Sequence, residues 1–171
     1  MKEIKGELFS HIGTADIVCI TTNGFVKSNG LAVMGKGCAK QATEKWPKIQ
    51  SKLGNRIRAR GNIVTGLIKE GNTVIAAYPV KPVSEVFTGE NAVKHMRDKF
   101  KVGDTVPGWA CLANIEIIKK SARKLVAIAD HFNFTNIVIP RMGCGAGELM
   151  WSEVRKHVEN ILDDRFSVIT F

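Results

Sequence analysis

The sequence lacks the features that mark membrane, secreted and zinc-binding proteins. No apolar run approaches the ~20 residues that a membrane-spanning helix requires, and the N-terminal segment MKEIKGELFS contains no apolar signal core. The four cysteines show neither CxxC nor Cys/His spacing, which argues against a zinc site or a disulfide framework. We therefore expect a soluble cytoplasmic protein with free thiols, no metal ion and no membrane partner.

Length and composition are those of one globular domain. A chain of 171 residues can bury a substantial core, and 44% of its residues are hydrophobic. Lys and Arg (25) exceed Asp and Glu (16), and the net charge of +9 favours polyanionic or phosphorylated partners without identifying one. The basic residues are scattered and mostly expected to be solvated, apart from a modest cluster at Arg56, Arg58 and Arg60. We expect a single domain over residues 1–171 and a monomer.

Strand and helix patterns alternate along the chain. Apolar and β-branched runs predict strands at 2–9, 15–22, 62–68, 73–78, 137–139 and 167–171. Helical periodicity predicts a helix that starts at about 37 and either ends near 47 or continues raggedly toward 53, and further helices at 112–132 and 151–162. The alternation predicts a three-layer α/β fold with a mixed, mostly parallel central sheet. Residues 83–109 are expected to form a long loop excursion with one short helix near 90–99.

Two glycine-rich segments, 33–38 (VMGKGC) and 143–147 (GCGAG), each connect a predicted strand to a predicted helix. Glycine lets the backbone approach an anion, and the free N–H groups of a helix start point at it. Neither segment matches a Walker A motif or a dinucleotide fingerprint, and each alone is equally compatible with a tight turn. Two such segments at neighbouring strand ends nevertheless suit a ligand with two phosphates.

Lys81 lies just past a predicted strand, in the stiff segment YPVKP. Beside a phosphate site, a lysine is either an electrostatic clamp or, when desolvated, a nucleophile. A surface lysine on a loop is the alternative. The histidines have no evident partners, and capping or surface roles are expected for them: His11, His95, His131 and His157.

Four segments, in order along the chain, resemble the macrodomain family: ADIVCITTNG, VMGKGCAKQA, YPVK and IPRMGCGAGELMWSEV. The sequence is most similar to the branch of DNA ADP-ribosyl-glycohydrolase antitoxins and stand-alone phage and bacterial macrodomains. The resemblance covers nearly the whole chain except about 83–109. It implies a three-layer α/β/α macrodomain that binds ADP-ribose without a cofactor.

The resemblance also implies roles for individual residues. Residues 33–38 would wrap the distal ribose and the diphosphate, and residues 142–148 would bind phosphate oxygens through backbone amides. Asn23 would orient the ribose hydroxyls, Glu7 would contact the adenine amine, and Phe171 would stack on adenine. The implied ADP-ribose-binding residues are Glu7, Thr22, Asn23, Gly24, Val33, Met34, Gly35, Lys36, Gly37, Cys38, Pro79, Met142, Gly143, Cys144, Gly145, Ala146, Gly147, Glu148 and Phe171.

Lys81 matches the lysine that attacks the anomeric carbon of the distal ribose in the antitoxin branch, so that Lys81 and Asn23 are the implied catalytic residues. A related lysine-dependent subgroup pairs this lysine with an aspartate in the second glycine loop. Gly147 occupies that position here, with Glu148 beside it. A lysine–aspartate mechanism would therefore require Glu148 to replace the aspartate.

The function implied is a hydrolase that removes ADP-ribose from a nucleic acid or a protein by attack at the distal ribose C1″. Two alternatives stay open: a phosphatase for ADP-ribose 1″-phosphate, and a non-catalytic reader of ADP-ribose. The missing aspartate favours the reader. The expected partners are ADP-ribose or an ADP-ribosylated substrate, including ADP-ribosylated nucleic acid.

Overall fold

The computed structural model describes all 171 residues, Met1–Phe171. Its strands are β1 (Lys2–Lys5), β2 (Ile17–Thr22), β3 (Thr65–Glu70), β4 (Thr73–Pro79), β5 (Ser84–Val86), β6 (Thr105–Pro107), β7 (Ile137–Pro140) and β8 (Phe166–Thr170). Its α-helices are α1 (Gly37–Lys45), α2 (Ile49–Arg60), α3 (Ile115–Phe132) and α4 (Trp151–Val158). Short 3₁₀ helices lie at Leu8–His11, Lys94–Lys99 and Gly108–Ala110. None of the helices has the length and apolar character needed to cross a membrane.

Six strands form the central sheet in the order β1-β8-β7-β2-β4-β3. All neighbouring pairs are parallel except β3 and β4, which form an antiparallel hairpin at one edge. The prediction of a mixed, mostly parallel sheet is confirmed. Because the carboxyl ends of parallel strands lie along one edge, the loops that follow β2, β4 and β7 meet there.

The central strand β2 supplies apolar side chains to both faces of the sheet. Ile17 and Cys19 are buried against α3 and α4, whereas Val18 and Ile20 are buried against α1 and α2. Successive side chains of a strand point to opposite faces, so an almost wholly apolar strand indicates burial on both sides. The sheet is thus the middle of three layers, as the sequence predicts.

Several elements differ from the expected boundaries: β3 begins at Thr65 rather than 62, α3 begins at Ile115 rather than 112, and α4 ends at Val158 rather than 162. Two further differences change the course of the chain. The first strand ends at Lys5 rather than near residue 9, because Gly6 has a φ of +140° and the chain then enters a 3₁₀ helix. The helix predicted from about 37 ends at Lys45, close to the first of its two expected ends, near Pro47, and a separate helix α2 replaces the alternative, a ragged continuation toward 53. Trp46 is extended (φ −130°, ψ 90°), the conformation that a following proline favours, and α2 then runs to Arg60.

The 83–109 excursion has secondary structure of its own. β5 and β6 pair as an antiparallel hairpin, and a small cluster of buried residues is separate from both main cores: Phe87, Ala92, Val106, Ala110 and Cys111. Its apolar residues are separated by charged ones along the sequence, which hides the cluster from pattern analysis. The excursion is therefore a folded unit beside the carboxyl edge of the sheet.

Asn114 caps the amino end of α3, where its side-chain oxygen accepts the N–H groups of Glu116 (2.8 Å) and Ile117 (3.1 Å). We expect Asn114→Ala to lower the free energy of unfolding by about 1 kcal/mol, since these donors lose their partner. Urea unfolding measures the change, with Arg123→Ala on the exposed face of α3 as the control. Equal stability of the two variants would contradict the capping role.

Candidate functional site

A cleft of about 460 Å³ lies at the carboxyl edge of the sheet. The ends of β2, β4, β7 and β8 and both glycine loops line it, and the excursion contributes His95 and Trp109. The three charged residues among its lining are cations, namely Lys36, Lys81 and Arg141, and no Asp or Glu lines it. Such a cleft favours an anionic ligand.

The first glycine loop leads into the amino end of α1 at this cleft. Lys36 precedes the helix, and no side chain caps it. The first amide to bond back into the helix is that of Lys40, which donates to the Lys36 carbonyl (3.2 Å). The amides of Gly37, Cys38 and Ala39 therefore have no acceptor in the protein. They form a partly positive helix end that faces the cleft.

The second glycine loop also presents unpaired amides. Two hydrogen bonds hold its shape, from the Leu149 N–H to the Gly143 carbonyl (2.9 Å) and from the Glu148 N–H to the Gly145 carbonyl (3.0 Å). The amides of Gly145, Ala146 and Gly147 donate to no acceptor in the protein, and all three residues line the cleft. Consecutive free amides of this kind bind anions.

The glycines of the second loop are needed for different reasons. A Cβ at Gly147 would lie 2.5 Å from both the Ala113 Cβ and the Gly143 carbonyl oxygen, so this position is filled by the protein itself. A Cβ at Gly145 would meet nothing within 4 Å. Packing therefore does not require a glycine at position 145, and the space beside Gly145 is open toward the cleft.

The backbone that carries Lys81 is held on every side. Val80 donates to the Thr22 carbonyl (2.9 Å), which joins the end of β4 to the end of β2. The carbonyls of residues 79–82 accept, in order, from Ser121 Oγ (2.7 Å), Asn114 N (2.9 Å), Asn62 Nδ2 (2.9 Å) and Gly24 N (3.0 Å). Lys81 thus extends from a rigid segment.

The Lys81 side chain is 6% exposed, and its Nζ donates to the Trp109 carbonyl (3.2 Å) in the excursion. Burial is the main cause that lowers the pKa of the Lys81 amine below its usual value. Cys111 and Glu148 oppose this shift, and the positive charge of Lys36 adds to it. A larger fraction of this amine is therefore neutral than for an exposed lysine, and a neutral amine is a nucleophile.

Two further polar groups of the cleft differ in what they can do. Burial raises the pKa of the Cys144 thiol to about 11, although Arg141 acts against the shift, so this thiol is protonated at neutral pH and a poor nucleophile. The Thr22 hydroxyl is buried and has no hydrogen-bond partner in the protein. A buried hydroxyl without a partner is unusual in a folded protein, and Thr22 lines the cleft.

Asn23 ties the first glycine loop to the end of β2. Its Nδ2 donates to the Val33 carbonyl (2.9 Å), and its Oδ1 accepts the Phe25 N–H (2.9 Å). An amide side chain retains one further N–H and one acceptor lone pair after two such bonds. Asn23 lines the cleft, so its side chain can hold the first glycine loop and contact a ligand at the same time.

Glu148 does not line the cleft. It has a φ of +63°, and its carboxylate oxygens accept the N–H of Lys94 at 3.1 and 3.3 Å, at the start of a 3₁₀ helix of the excursion. The residue thus joins the second glycine loop to the excursion. No hydrogen bond or ion pair joins Glu148 to Lys81, and its substitution for the aspartate of a lysine–aspartate pair stays a prediction.

Most residues expected at the site do line the cleft: Thr22, Asn23, Val33, Met34, Gly35, Lys36, Gly37, Cys38, Lys81, Gly143, Cys144, Gly145, Ala146, Gly147 and Phe171. Five do not: Glu7, Gly24, Pro79, Met142 and Glu148. Glu7 is exposed beyond β1, and the Met142 side chain is buried in the core. Their binding roles stay predictions.

Several lining residues were not expected from the sequence: Thr21, Ala39, Val80, His95, Trp109, Pro140, Arg141, Ile169 and Thr170. Arg141 could have been found, because it lies two residues after a predicted buried strand, at the edge where ligands bind. His95 and Trp109 have no comparable signal, since only the tertiary fold of the excursion brings them to the cleft.

A mixed six-stranded sheet between two helix layers, with both glycine loops at its carboxyl edge, is the macrodomain fold. The fold implied by the sequence motifs is therefore confirmed. No protein-family model matches the sequence, and no curated protein sequence matches it.

Among solved structures, the chain is similar to the macrodomain of Thermus aquaticus DarG, with a TM-score of 0.68, 17% identity, and coverage of 99% of this chain and 97% of that one. It is also similar to the macrodomain of Mycobacterium tuberculosis DarG, with a TM-score of 0.67, 17% identity, and coverage of 98% of this chain and 95% of that one. For Thermosipho africanus DarTG in complex with ADP-ribose, the TM-score is 0.67 and the identity 15%. The match covers 99% of this chain but only 41% of that longer chain. At these identities the likeness establishes the fold alone.

The two glycines of the second loop should respond differently to one added methyl group. Gly147→Ala is expected to lower the free energy of unfolding by about 1–3 kcal/mol, because the Cβ overlaps Ala113 and the Gly143 carbonyl. Gly145→Ala should change it by less than about 0.5 kcal/mol, since its Cβ meets open space. Chemical denaturation of both variants measures the difference, and similar losses would show that the loop geometry is wrong.

Proposed function

We propose that this protein binds ADP-ribose in the cleft and hydrolyses the bond between the distal ribose C1″ and a nucleic acid or protein to which ADP-ribose is attached. The observation that carries the proposal is the pair of amide-rich glycine loops that face one cationic cleft without a carboxylate. The structural likeness to a DarTG protein in complex with ADP-ribose supports it.

The diphosphate is the ligand group that this cleft fits best. The free amides at the start of α1 and in the second loop supply donors from two sides, and Lys36 and Arg141 add positive charge. In this proposal the distal ribose lies at Asn23, Thr22 and Lys81, all of which line the cleft. Phe171, which is 74% exposed at the cleft, offers a ring on which adenine stacks.

Lys81 is the proposed nucleophile. Its neutral amine attacks C1″ and forms a bond to it. The bond from C1″ to the modified nucleic acid or protein, here called the acceptor, breaks, and its electron pair stays on the acceptor. The acceptor then takes the proton released by the amine. Water then displaces the lysine from C1″, so that one water is consumed and ADP-ribose and the unmodified acceptor are released. The loop amides hold the diphosphate and thereby position C1″ for this attack.

A non-catalytic ADP-ribose reader is the second candidate. One observation favours it, namely that the cleft contains no carboxylate able to act as a general acid or base. Binding without turnover on any ADP-ribosylated nucleic acid, protein or ADP-ribose 1″-phosphate would select the reader. Phosphate release from ADP-ribose 1″-phosphate alone would select a phosphatase.

Calorimetric titration should show micromolar binding of ADP-ribose and at least tenfold weaker binding of AMP, because AMP lacks the second phosphate and the distal ribose.

Gly145→Val should weaken ADP-ribose binding at least tenfold, since its side chain enters the open space beside the loop amides. A glycine-to-valine change outside the cleft, such as Gly13→Val, is not a suitable control, because Gly13 has a φ of +96° and valine would strain the backbone there. Lys69→Met on β3 is the control, and no detectable binding by the wild type would overturn the proposal.

Lys81→Met should retain ADP-ribose binding within about fivefold and lose at least ~100-fold in turnover, because the nucleophile is gone while the loop amides stay. Lys69→Met should retain both. Release of ADP-ribose from an ADP-ribosylated oligonucleotide or protein, followed by chromatography, measures turnover. Full turnover by Lys81→Met would remove Lys81 from the mechanism.

The lowered pKa of Lys81 has a stability consequence with a definite sign. At neutral pH Lys81 is protonated in the unfolded chain, and burial makes that charge unfavourable in the folded state. Lys81→Met should therefore unfold with equal or higher free energy at pH 7. The advantage of the variant should shrink as pH rises through the folded pKa of Lys81 toward its usual value. Denaturant unfolding between pH 7 and pH 10 measures this trend, and a growing advantage would contradict it.

A further inference from the structure

The positive charge of this protein is concentrated on one side of the sheet. Between Lys27 and Lys69 the sequence has ten Lys or Arg residues and a single acidic residue, Glu44. This span includes α1 and α2, which cover one face of the sheet. The net charge of +9 therefore produces a local field rather than a uniform one.

Four of these residues form a row along α2: Lys48, Lys52, Arg56 and Arg60, here called the α2 stripe. They are spaced four apart, beginning at the residue before the helix, and all four are exposed. Each step advances about 6 Å along the helix axis and about 40° around it, so the stripe forms a shallow curve on the surface. A phosphodiester backbone carries one negative charge per nucleotide, so a row of cations can contact several of its phosphates.

The α2 stripe has no structural partner. None of the six ion pairs in the structure includes a residue of α2. Glu70, near the amino end of α2, accepts a hydrogen bond from Trp46 Nε1 instead. Lys48 and Lys52 also lie at the positive end of the helix dipole, and the first turn contains no acidic residue. A cation in the last turn stabilises a helix, which accounts for Arg60. Lys48 and Lys52 lie at the opposite end, where a positive charge is unfavourable to the helix.

The stripe leads to the cleft. α2 ends at Arg60, and Asn62 follows two residues later, where its Nδ2 donates to the Lys81 carbonyl (2.9 Å). A Cβ at Gly24, next to the cleft residue Asn23, would lie 2.7 Å from the Asn62 side chain. The carboxyl end of α2 is therefore beside the rim from which Lys81 extends.

The amino end of α2 adjoins an aromatic groove of about 290 Å³ that includes Phe9 and Trp46. These rings meet edge to face at 5.5 Å, and the Lys45 ammonium lies 5.8 and 5.7 Å from the two ring centroids. Partly exposed aromatic rings beside cations are the surfaces on which unpaired bases stack.

We infer that the α2 stripe binds the phosphate backbone of a single-stranded nucleic acid and leads it to the rim of the cleft. The binding surface stands on the charges of α2; its use in presenting a substrate rests on the proposed function. A lipid surface fits less well, because the apolar side chains of α2 (Ile49, Leu53 and Ile57) are buried in the core and none is left to enter a bilayer.

The test is fluorescence anisotropy with an unmodified, labelled single-stranded DNA of about 12 nucleotides, a length within the usual range for such surfaces. The variant K52A/R56A/R60A removes three charges of the stripe. The control K120A/R123A/K124A removes three exposed charges from α3, on the opposite face of the sheet. ADP-ribose titration of both variants checks that the fold and the cleft are intact.

We expect the α2 variant to bind DNA at least tenfold more weakly and the α3 variant to change less than about twofold. The slope of log K against log salt concentration should become shallower by about 2 in the α2 variant, because three phosphate contacts are lost. Equal losses in the two variants would overturn the inference, since only total charge would then matter. Stronger binding to anionic phospholipid vesicles than to DNA would also overturn it.

The ADP-ribose titration separates this inference from the proposed function. A protein that binds ADP-ribose but no DNA lacks the strand-binding surface while the cleft proposal stands. A protein that binds DNA through α2 but no ADP-ribose retains the surface, and the cleft proposal fails.

Discussion

The site depends on the position of β2 between two parallel neighbours. Its register with β4 places Thr22 opposite Pro79, and its register with β7 places Val18 opposite Val138. The three strands therefore end at one edge, and the chain that leaves each strand contributes to the same cleft. A shift of one residue in this pairing would turn the side chains of β2 to the wrong core, so the two apolar cores also fix the register.

The cleft combines a rigid backbone with an amine that has no carboxylate partner. Hydrogen bonds from four different parts of the chain hold the carbonyls of residues 79–82. The Lys81 amine itself contacts a carbonyl oxygen, and its pKa is lowered mainly by burial. Burial favours the neutral form of an amine, whereas a carboxylate beside it would favour the ammonium. Glu148, the acidic residue beside the second glycine loop, accepts from the Lys94 amide rather than from the Lys81 amine, so burial is the main influence on that amine.

Local sequence patterns were sufficient for the layers of the fold and for the two glycine loops. An apolar run such as 15–22 and the stripe of α3 are determined by burial, which leaves a direct trace in residue order. The sequence pattern does not predict α2 as a helix of its own, because α2 is strongly polar and its apolar residues are few. His95 and Trp109 could not be placed, since their approach to the cleft depends on the separate small core of the excursion.

The excursion contacts the site at three places: the Trp109 carbonyl accepts from Lys81, His95 Nε2 lies 3.5 Å from Lys36 Nζ, and the Lys94 amide donates to Glu148. These contacts join it to the strand end and to both glycine loops. The small core around Phe87 and Phe100, whose rings lie 5.8 Å apart, therefore holds three contacts of the site in place. For the ADP-ribose binding proposed above, substitutions in this small core should therefore change the rates of ligand entry and release more than the equilibrium affinity, because they leave the loop amides in place.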